Sequence, residues 1–216
     1  MESNPRHQCL IYEGSPSKQL SMLAAVIKRK LDEGYRCLYL NSAPMVTGMR
    51  SILAAMDIDV ASEIARRRLV MSFEPVSAGK EFDVALMLRK LEDGVNQALA
   101  DGYKGLWASG DMTWEFAPGN DFSKLLEYEL GLEELISTRK ELCGICQYHK
   151  DTLPGDVLRQ SLLAHPTIVI NETLTRVNPH YLKRFGATEL NTSDNLDEMI
   201  DTLCGNNNGR ERNVHY

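Results

Sequence analysis

Several features that assign a function quickly are missing from this chain. No apolar run approaches the ~18 residues of a membrane span. The first residues, Met1-Glu2-Ser3-Asn4-Pro5, are polar and unlike an export signal. Neither membrane contact nor export is therefore expected. No lysine-rich run is present, and the net charge is −6. Phosphate contacts need clustered Lys and Arg, so direct nucleic-acid binding is not expected. The one basic cluster, Arg66-Arg67-Arg68, is short and fits the C-terminal end of a helix. No G-x-S-x-G elbow and no H-E-x-x-H pair occurs, so no catalytic residue is expected. Disulfides are not expected either: five cysteines, an odd number, suit reduced thiols in a cytoplasm.

The most informative absence is a phosphate loop. Tyr12-Glu13-Gly14-Ser15-Pro16-Ser17-Lys18-Gln19 sits between the first expected strand and the first expected helix. A nucleotide-binding α/β protein carries G-x-x-x-x-G-K-[ST] there, wrapping phosphates in backbone N–H groups. With Lys18 as the motif lysine, Tyr12 and Ser17 replace the glycines and Gln19 replaces the hydroxyl. Pro16 removes one N–H more. The chain reads as an ATPase scaffold with its phosphate site erased, which favours binding or sensing over catalysis.

What is present is an alternation of strand and helix signals, the pattern of a parallel α/β sheet. Strands are expected at Cys9–Tyr12, Cys37–Leu40, Leu69–Phe73, Gly105–Ser109, Leu142–Tyr148 and Thr167–Ile170, with a further extended stretch at Leu174–Val177. Helices are expected from the N-cap Ser15 to Gly34, from Pro44 through Met56, around Ser62–Arg67, and from Phe82 to Gly102. Others are expected over Asp121–Ser137, over Gly155–Ala164, and from the cap Ser193 to Gly205. One domain over residues 7–204 is expected, with flexible termini at 1–6 and 205–216.

Ligands of open parallel sheets bind at the carboxyl ends of the strands. That rule selects the loops after each strand, and the segment 110–120 is the richest, with Asp111, Trp114 and Phe116. Asp111 reads as a turn carboxylate or helix cap rather than a magnesium ligand, because its partner motif is missing. Cys143 and Cys146 have chelating spacing, but on a strand residues three apart face opposite sides, so packing is the expected role. His7 and Cys9 share a face. If the first strand lay beside the strand of Cys146, these three would converge as soft-metal ligands. His165-Pro166 reads as a helix end, and Glu133-Glu134 as a solvated helix face.

His7-x-Cys9-x-x-Tyr12-Glu13, Gly110-Asp111-Met112-Thr113-Trp114, and Cys146-Gln147-Tyr148 followed by His165-Pro166 together resemble the MEDS domain. That is the sensory domain of methanogens, methylotrophs and the dichloromethane-responsive regulator. The resemblance runs from about His7 to about Tyr181. It implies a RecA/KaiC-like three-layer α/β sandwich with a mostly parallel central sheet and a degenerate P-loop. It also implies a cytoplasmic sensor of small hydrocarbon derivatives that acts through a transcription regulator or histidine kinase. It singles out His7, Cys9, Tyr12, Glu13, Asp111, Trp114, Cys146 and Tyr148 as ligand-binding positions, with a folding role standing beside a ligand role at each.

The leading expectation is a non-enzymatic sensor that binds a small organic molecule, with no resident metal or named cofactor. Three alternatives stay open. One is a KaiC-like ATPase with an unorthodox phosphate site around Lys18. Another is a metal or thiol redox sensor using His7, Cys9 and Cys146. The last is a scaffold that pairs with signalling subunits or forms a homo-oligomer.

Overall fold

Apolar runs of three to eight residues become seven strands of one sheet. A computed structural model describes residues 6–73, 82–113, 122–181 and 195–204. The strands are β1 His7–Tyr12, β2 Arg36–Leu40, β3 Leu69–Ser72, β4 Leu106–Asp111, β5 Leu142–His149, β6 Thr167–Val169 and β7 Thr175–Val177. Their order is β3-β2-β4-β5-β1-β6-β7. The pairings from β3 to β6 are parallel, and only β7 runs antiparallel, on β6. β5 and β1 therefore lie inside the sheet. β5 is buried along all but its last residue, as expected of a strand covered on both faces.

Among the described residues the helices with full bounds are α1 Leu20–Asp32, α2 Ala43–Ala55, α3 Val60–Ala65, α4 Val84–Ala100, α5 Leu125–Thr138, α6 Gly155–Ala164 and α7 Leu196–Cys204. They cover both faces and create two cores. Residues of α1 and α2 pack with Tyr39, Trp107, Cys143 and Ile145 on one face. Residues of α4 to α7 pack with Cys9, Leu142, Cys146 and Tyr148 on the other. The alternation of strand side chains thus separates Cys143 from Cys146, as their spacing demands. None of the described helices is long and apolar enough to cross a membrane.

Local chemistry explains the boundaries. Gly34 and Gly102 follow α1 and α4 at φ +89° and +85°, a conformation most side chains avoid. Asp59 and Asp83 cap α3 and α4 by accepting from the amides of Ser62 and Leu86. Arg68, in the basic cluster, donates to the carbonyl of Leu31 near the end of α1, 2.7 Å away. Ser15 departs from expectation. A 3-10 turn, Pro16–Gln19, precedes α1, and the Ser15 side chain caps no backbone group. It bonds the Ser17 hydroxyl instead. The expected cap Ser193, the segment 205–216 and residues 1–5 lie outside the described residues.

Candidate functional site

β1 and β5 are adjacent, with His7 opposite Gly144 and Cys9 opposite Cys146. The condition for convergence is met, and the resulting group is richer than the sequence suggested. His7, Cys146, Glu129 and His165 are all buried, and one ligand-type atom from each lies within 4.8 Å of the others. Four elements contribute. His7 opens β1, Cys146 lies within β5, Glu129 projects from α5, and His165 caps the C-terminal end of α6.

The outer atom of each imidazole is committed elsewhere. His7 Nδ1 lies 2.8 Å from Glu133 Oε2, and a carboxylate accepts, so Nδ1 carries the hydrogen. His165 Nδ1 donates to the Ser161 carbonyl at 2.7 Å. Both rings therefore present Nε2 to the centre. His7 Nε2 is 3.3 Å from Glu129 Oε2 and 3.7 Å from Cys146 Sγ. Cys146 Sγ is 3.6 Å from the same carboxylate oxygen. His165 Nε2 is 3.4 Å from it but has no hydrogen-bond partner among the described residues. The other Glu129 oxygen accepts from the Tyr148 hydroxyl. Tyr181 donates to the second oxygen of Glu133 at 2.8 Å.

The charges of the group follow from these contacts. Burial and then the neighbouring His7 push His165 down to about 4. It is neutral near pH 7, so its closeness to Glu129 is not an ion pair. Burial works against the charge of His7, but the bonds and charges of Glu129 and Glu133 outweigh it and raise its pKa. Burial likewise opposes ionisation of Glu129. The imidazoles of His165 and His7, together with the Tyr148 hydroxyl, hold it below the usual carboxylate range. Burial raises the Cys146 thiol, and the Glu129 charge adds to it. At rest the group holds a buried carboxylate, a protonated thiol and a bare imidazole nitrogen.

Tyr12 and Asp111 build a different site on the opposite face. The Tyr12 hydroxyl donates to Asp111 Oδ2 at 2.8 Å, and its ring stacks on His149 with centroids 4.9 Å apart. Asp111 is the last residue of β4 and is buried, and Met112 and Thr113 directly after it are helical. Strand pairing with β5 continues through Gly110 and carries Asp111 inward. In the loop after β1, the Gly14 amide donates to Asp151 at 2.7 Å, and the Gly14 carbonyl contacts His149 Nε2. A carboxylate of the chain itself thus takes a backbone donor where a phosphate loop would offer one.

Of the predicted positions, His7 and Cys146 meet directly, and Tyr148 supports them through Glu129. Cys9 is buried beside Cys146 in the same core but is not one of the four converging groups. Glu13 is exposed at the rim of a hollow of about 310 Å³ at the carboxyl end of β1. Tyr12 lines the same hollow with Leu162, Ile168, Ile200 and Leu203. Trp114 and Phe116 lie outside the described residues.

One participant has a role beyond the expected solvated face, one ends its helix as expected but also joins the site, and one is new. Glu133 is not simply solvated, since it orients His7. His165 does more than end a helix. Glu129 stands in the apolar stripe of α5, between the buried Leu125 and Leu132. A carboxylate at i+4 from one core leucine and i−3 from the next was the available signal.

The chain matches the MEDS family model, described as the MEthanogen/methylotroph, DcmR Sensory domain, over residues 6–166. It belongs to the MEDS family. All four converging residues fall within the matched segment. The MEDS domain is 25% identical over 159 residues to the Transcriptional repressor DcmR of Methylorubrum extorquens (strain DSM 6343 / CIP 106787 / DM4). The match covers 74% of this chain and 57% of DcmR, so the chain spans little more than half of that relative. A solved structure with a similar fold is the uncharacterized protein PH0321 from Pyrococcus horikoshii, in complex with an unknown peptide. The TM-score is 0.56 at 15% identity, covering 79% of this chain and 80% of that one. At that identity the likeness concerns the fold alone.

Proposed function

We propose that this MEDS domain is a non-enzymatic cytoplasmic receiver for a small, largely apolar organic molecule, acting on a transcription regulator or histidine kinase. The observation that carries the reading is the hollow of about 310 Å³ at the carboxyl end of β1. Its volume falls at the lower end of small-molecule sites, and its walls are mostly aliphatic with few polar groups. Tyr12, Glu13 and Lys150 supply polar groups along its lining. The position is where parallel α/β sheets take ligands. The kinship with a transcriptional repressor supports a regulatory output. A ligand switches such a domain only if it binds two conformations with different affinity, and α7, which carries Ile200 and Leu203, is the wall we assign to that movement.

We read the scaffold as RecA/KaiC-like with the phosphate loop lost. Support comes from the Gly14 amide being taken by Asp151, with Glu13 adjacent. Two carboxylates there repel a nucleotide phosphate.

The test is a titration of the purified chain with a panel of one-carbon and halogenated compounds, read by thermal shift and native mass spectrometry. Saturable binding is expected, and Ile200→Trp, which fills the hollow, abolishes it. If no compound binds saturably, or if Ile200→Trp binds as well as the parent, the reading fails. Mg²⁺-ATP is expected not to bind.

A further inference from the structure

We propose that His7, Glu129, Cys146 and His165 form a tetrahedral site for a borderline divalent transition-metal ion of the zinc type. This site is separate from the hollow at the carboxyl end of β1, and it stands whether or not that hollow takes an organic ligand.

Donor spacing is the first argument. A tetrahedral ion with bonds of about 2.0–2.1 Å to nitrogen or oxygen and about 2.3 Å to sulfur has donor–donor edges of roughly 3.3–3.6 Å. Four edges here measure 3.3, 3.4, 3.6 and 3.7 Å. The other two, from His165 Nε2 to His7 Nε2 and to Cys146 Sγ, stay within 4.8 Å. Small side-chain shifts would close the tetrahedron.

The orientation of the rings is the second. Metal-bound histidines are held by a hydrogen bond from the other ring nitrogen to a carboxylate or a backbone carbonyl. Glu133 does this for His7, and the Ser161 carbonyl does it for His165. The Tyr148 hydroxyl holds the second oxygen of Glu129. Each donor but the thiol has its outer atom occupied and its inner atom turned to the centre.

The third argument is the unpaired nitrogen. His165 Nε2 is fully buried, has no hydrogen-bond partner among the described residues, and faces a carboxylate that cannot donate. Buried polar groups are paired in nearly all proteins, and an exception calls for a reason. A cation between His165, Glu129 and Cys146 supplies one.

Charge is balanced in the loaded form. A thiolate and a carboxylate neutralise M²⁺, and two neutral imidazoles complete the shell. Binding expels the Cys146 proton to solvent, together with the proton that a charged His7 carries on Nε2. Two nitrogens, one sulfur and one oxygen favour zinc or cobalt over magnesium or calcium, which prefer all-oxygen shells. Four protein donors leave no open position, so the ion is a structural or sensed one rather than a hydrolytic centre. It would tie β1, α5, β5 and the end of α6 together.

Cobalt is the probe. The full chain, stripped with a chelator, is titrated with Co²⁺ both in the native state and during refolding, so that slow entry into a buried site is not mistaken for absence. One equivalent is expected to give tetrahedral visible bands and a thiolate-to-cobalt band in the near ultraviolet. Zn²⁺ should displace it and raise the thermal midpoint. Cys146→Ser should lose the thiolate band, and Glu133→Gln, outside the shell, should weaken binding about 10- to 100-fold. Cys143→Ser, on the opposite face, should change neither. The proposal is overturned if the folded parent gives no band and no thermal shift with millimolar Co²⁺ or Zn²⁺ by either route. It is equally overturned if the thiolate band survives Cys146→Ser and disappears in Cys9→Ser or Cys143→Ser. The parent spectrum decides the matter even if a variant fails to fold.

Discussion

The same strands carry polar groups on both faces, and the two faces treat them differently. Facing α5, His7 and Cys146 meet Glu129 and His165 in full burial, with one nitrogen unpaired. On the other side, the Tyr12 hydroxyl donates to Asp111 at the carboxyl ends of β1 and β4, and Ser109 and Gln147 continue the pattern behind them. There Gln147 donates to the Ser109 hydroxyl, which donates to the Ile145 carbonyl. The second network closes on itself, whereas the first contains an acceptor facing an acceptor. Completed networks hold a fold, and an uncompleted one invites a further atom.

The largest expected difference between the faces is in stability. Glu129→Ala removes the carboxylate that His7, Cys146 and Tyr148 share. Breaking a buried charged group of this kind costs about 3–5 kcal/mol. Asp111→Ala leaves the Tyr12 hydroxyl without its acceptor and should cost less, about 1–3 kcal/mol. Urea unfolding of both variants measures the pair, and equal losses would erase the distinction between the faces.

Metal sharpens the comparison next. Adding Zn²⁺ should raise the midpoint of the parent and of Asp111→Ala, and leave Glu129→Ala unmoved. At a hundredfold excess over Kd the gain is about 2.7 kcal/mol. A chelator should reverse it. A zinc response that survives in Glu129→Ala would locate the ion elsewhere.

Thiol reactivity separates the readings more finely. Burial pushes the Cys143 thiol up to about 11, and raises Cys9, Cys37 and Cys146 as well. Reactive cysteines are exposed thiolates, so these four should label with a disulfide reagent only on unfolding. Rapid labelling of Cys146 in the native protein would revive the redox reading. The smallest effect belongs to Tyr12→Phe, which keeps the ring on His149 and loses one hydrogen bond, about 1 kcal/mol by the same unfolding assay.

Much of the architecture was legible in the chain. Residues 142–148 form an almost uninterrupted apolar run and became the buried β5. The stripe of α1 and the glycine that ends it were equally plain. The site was half legible. His7 and Cys146 stood out by type and spacing, but Glu129 was hidden among the acids of α5. Nothing in a linear reading distinguishes a carboxylate on the inner stripe from its solvated neighbours until a partner is known. The rule that ligands gather at the carboxyl ends of strands also pointed away from His7, which begins its strand.

The sequence by itself determined the alternation of strands and helices, the face on which each strand residue lies, and the absence of a phosphate-loop motif between the first strand and the first helix. Those are local properties, set by side-chain periodicity and by the glycines, prolines and amide donors of short segments. Only the tertiary structure decided that β1 lies beside β5, that α5 brings Glu129 over them, and that the end of α6 delivers His165. The four residues are separated by up to 158 positions, from His7 to His165. Their meeting depends on strand order and helix packing, which are energies of the whole core and are written in no single segment.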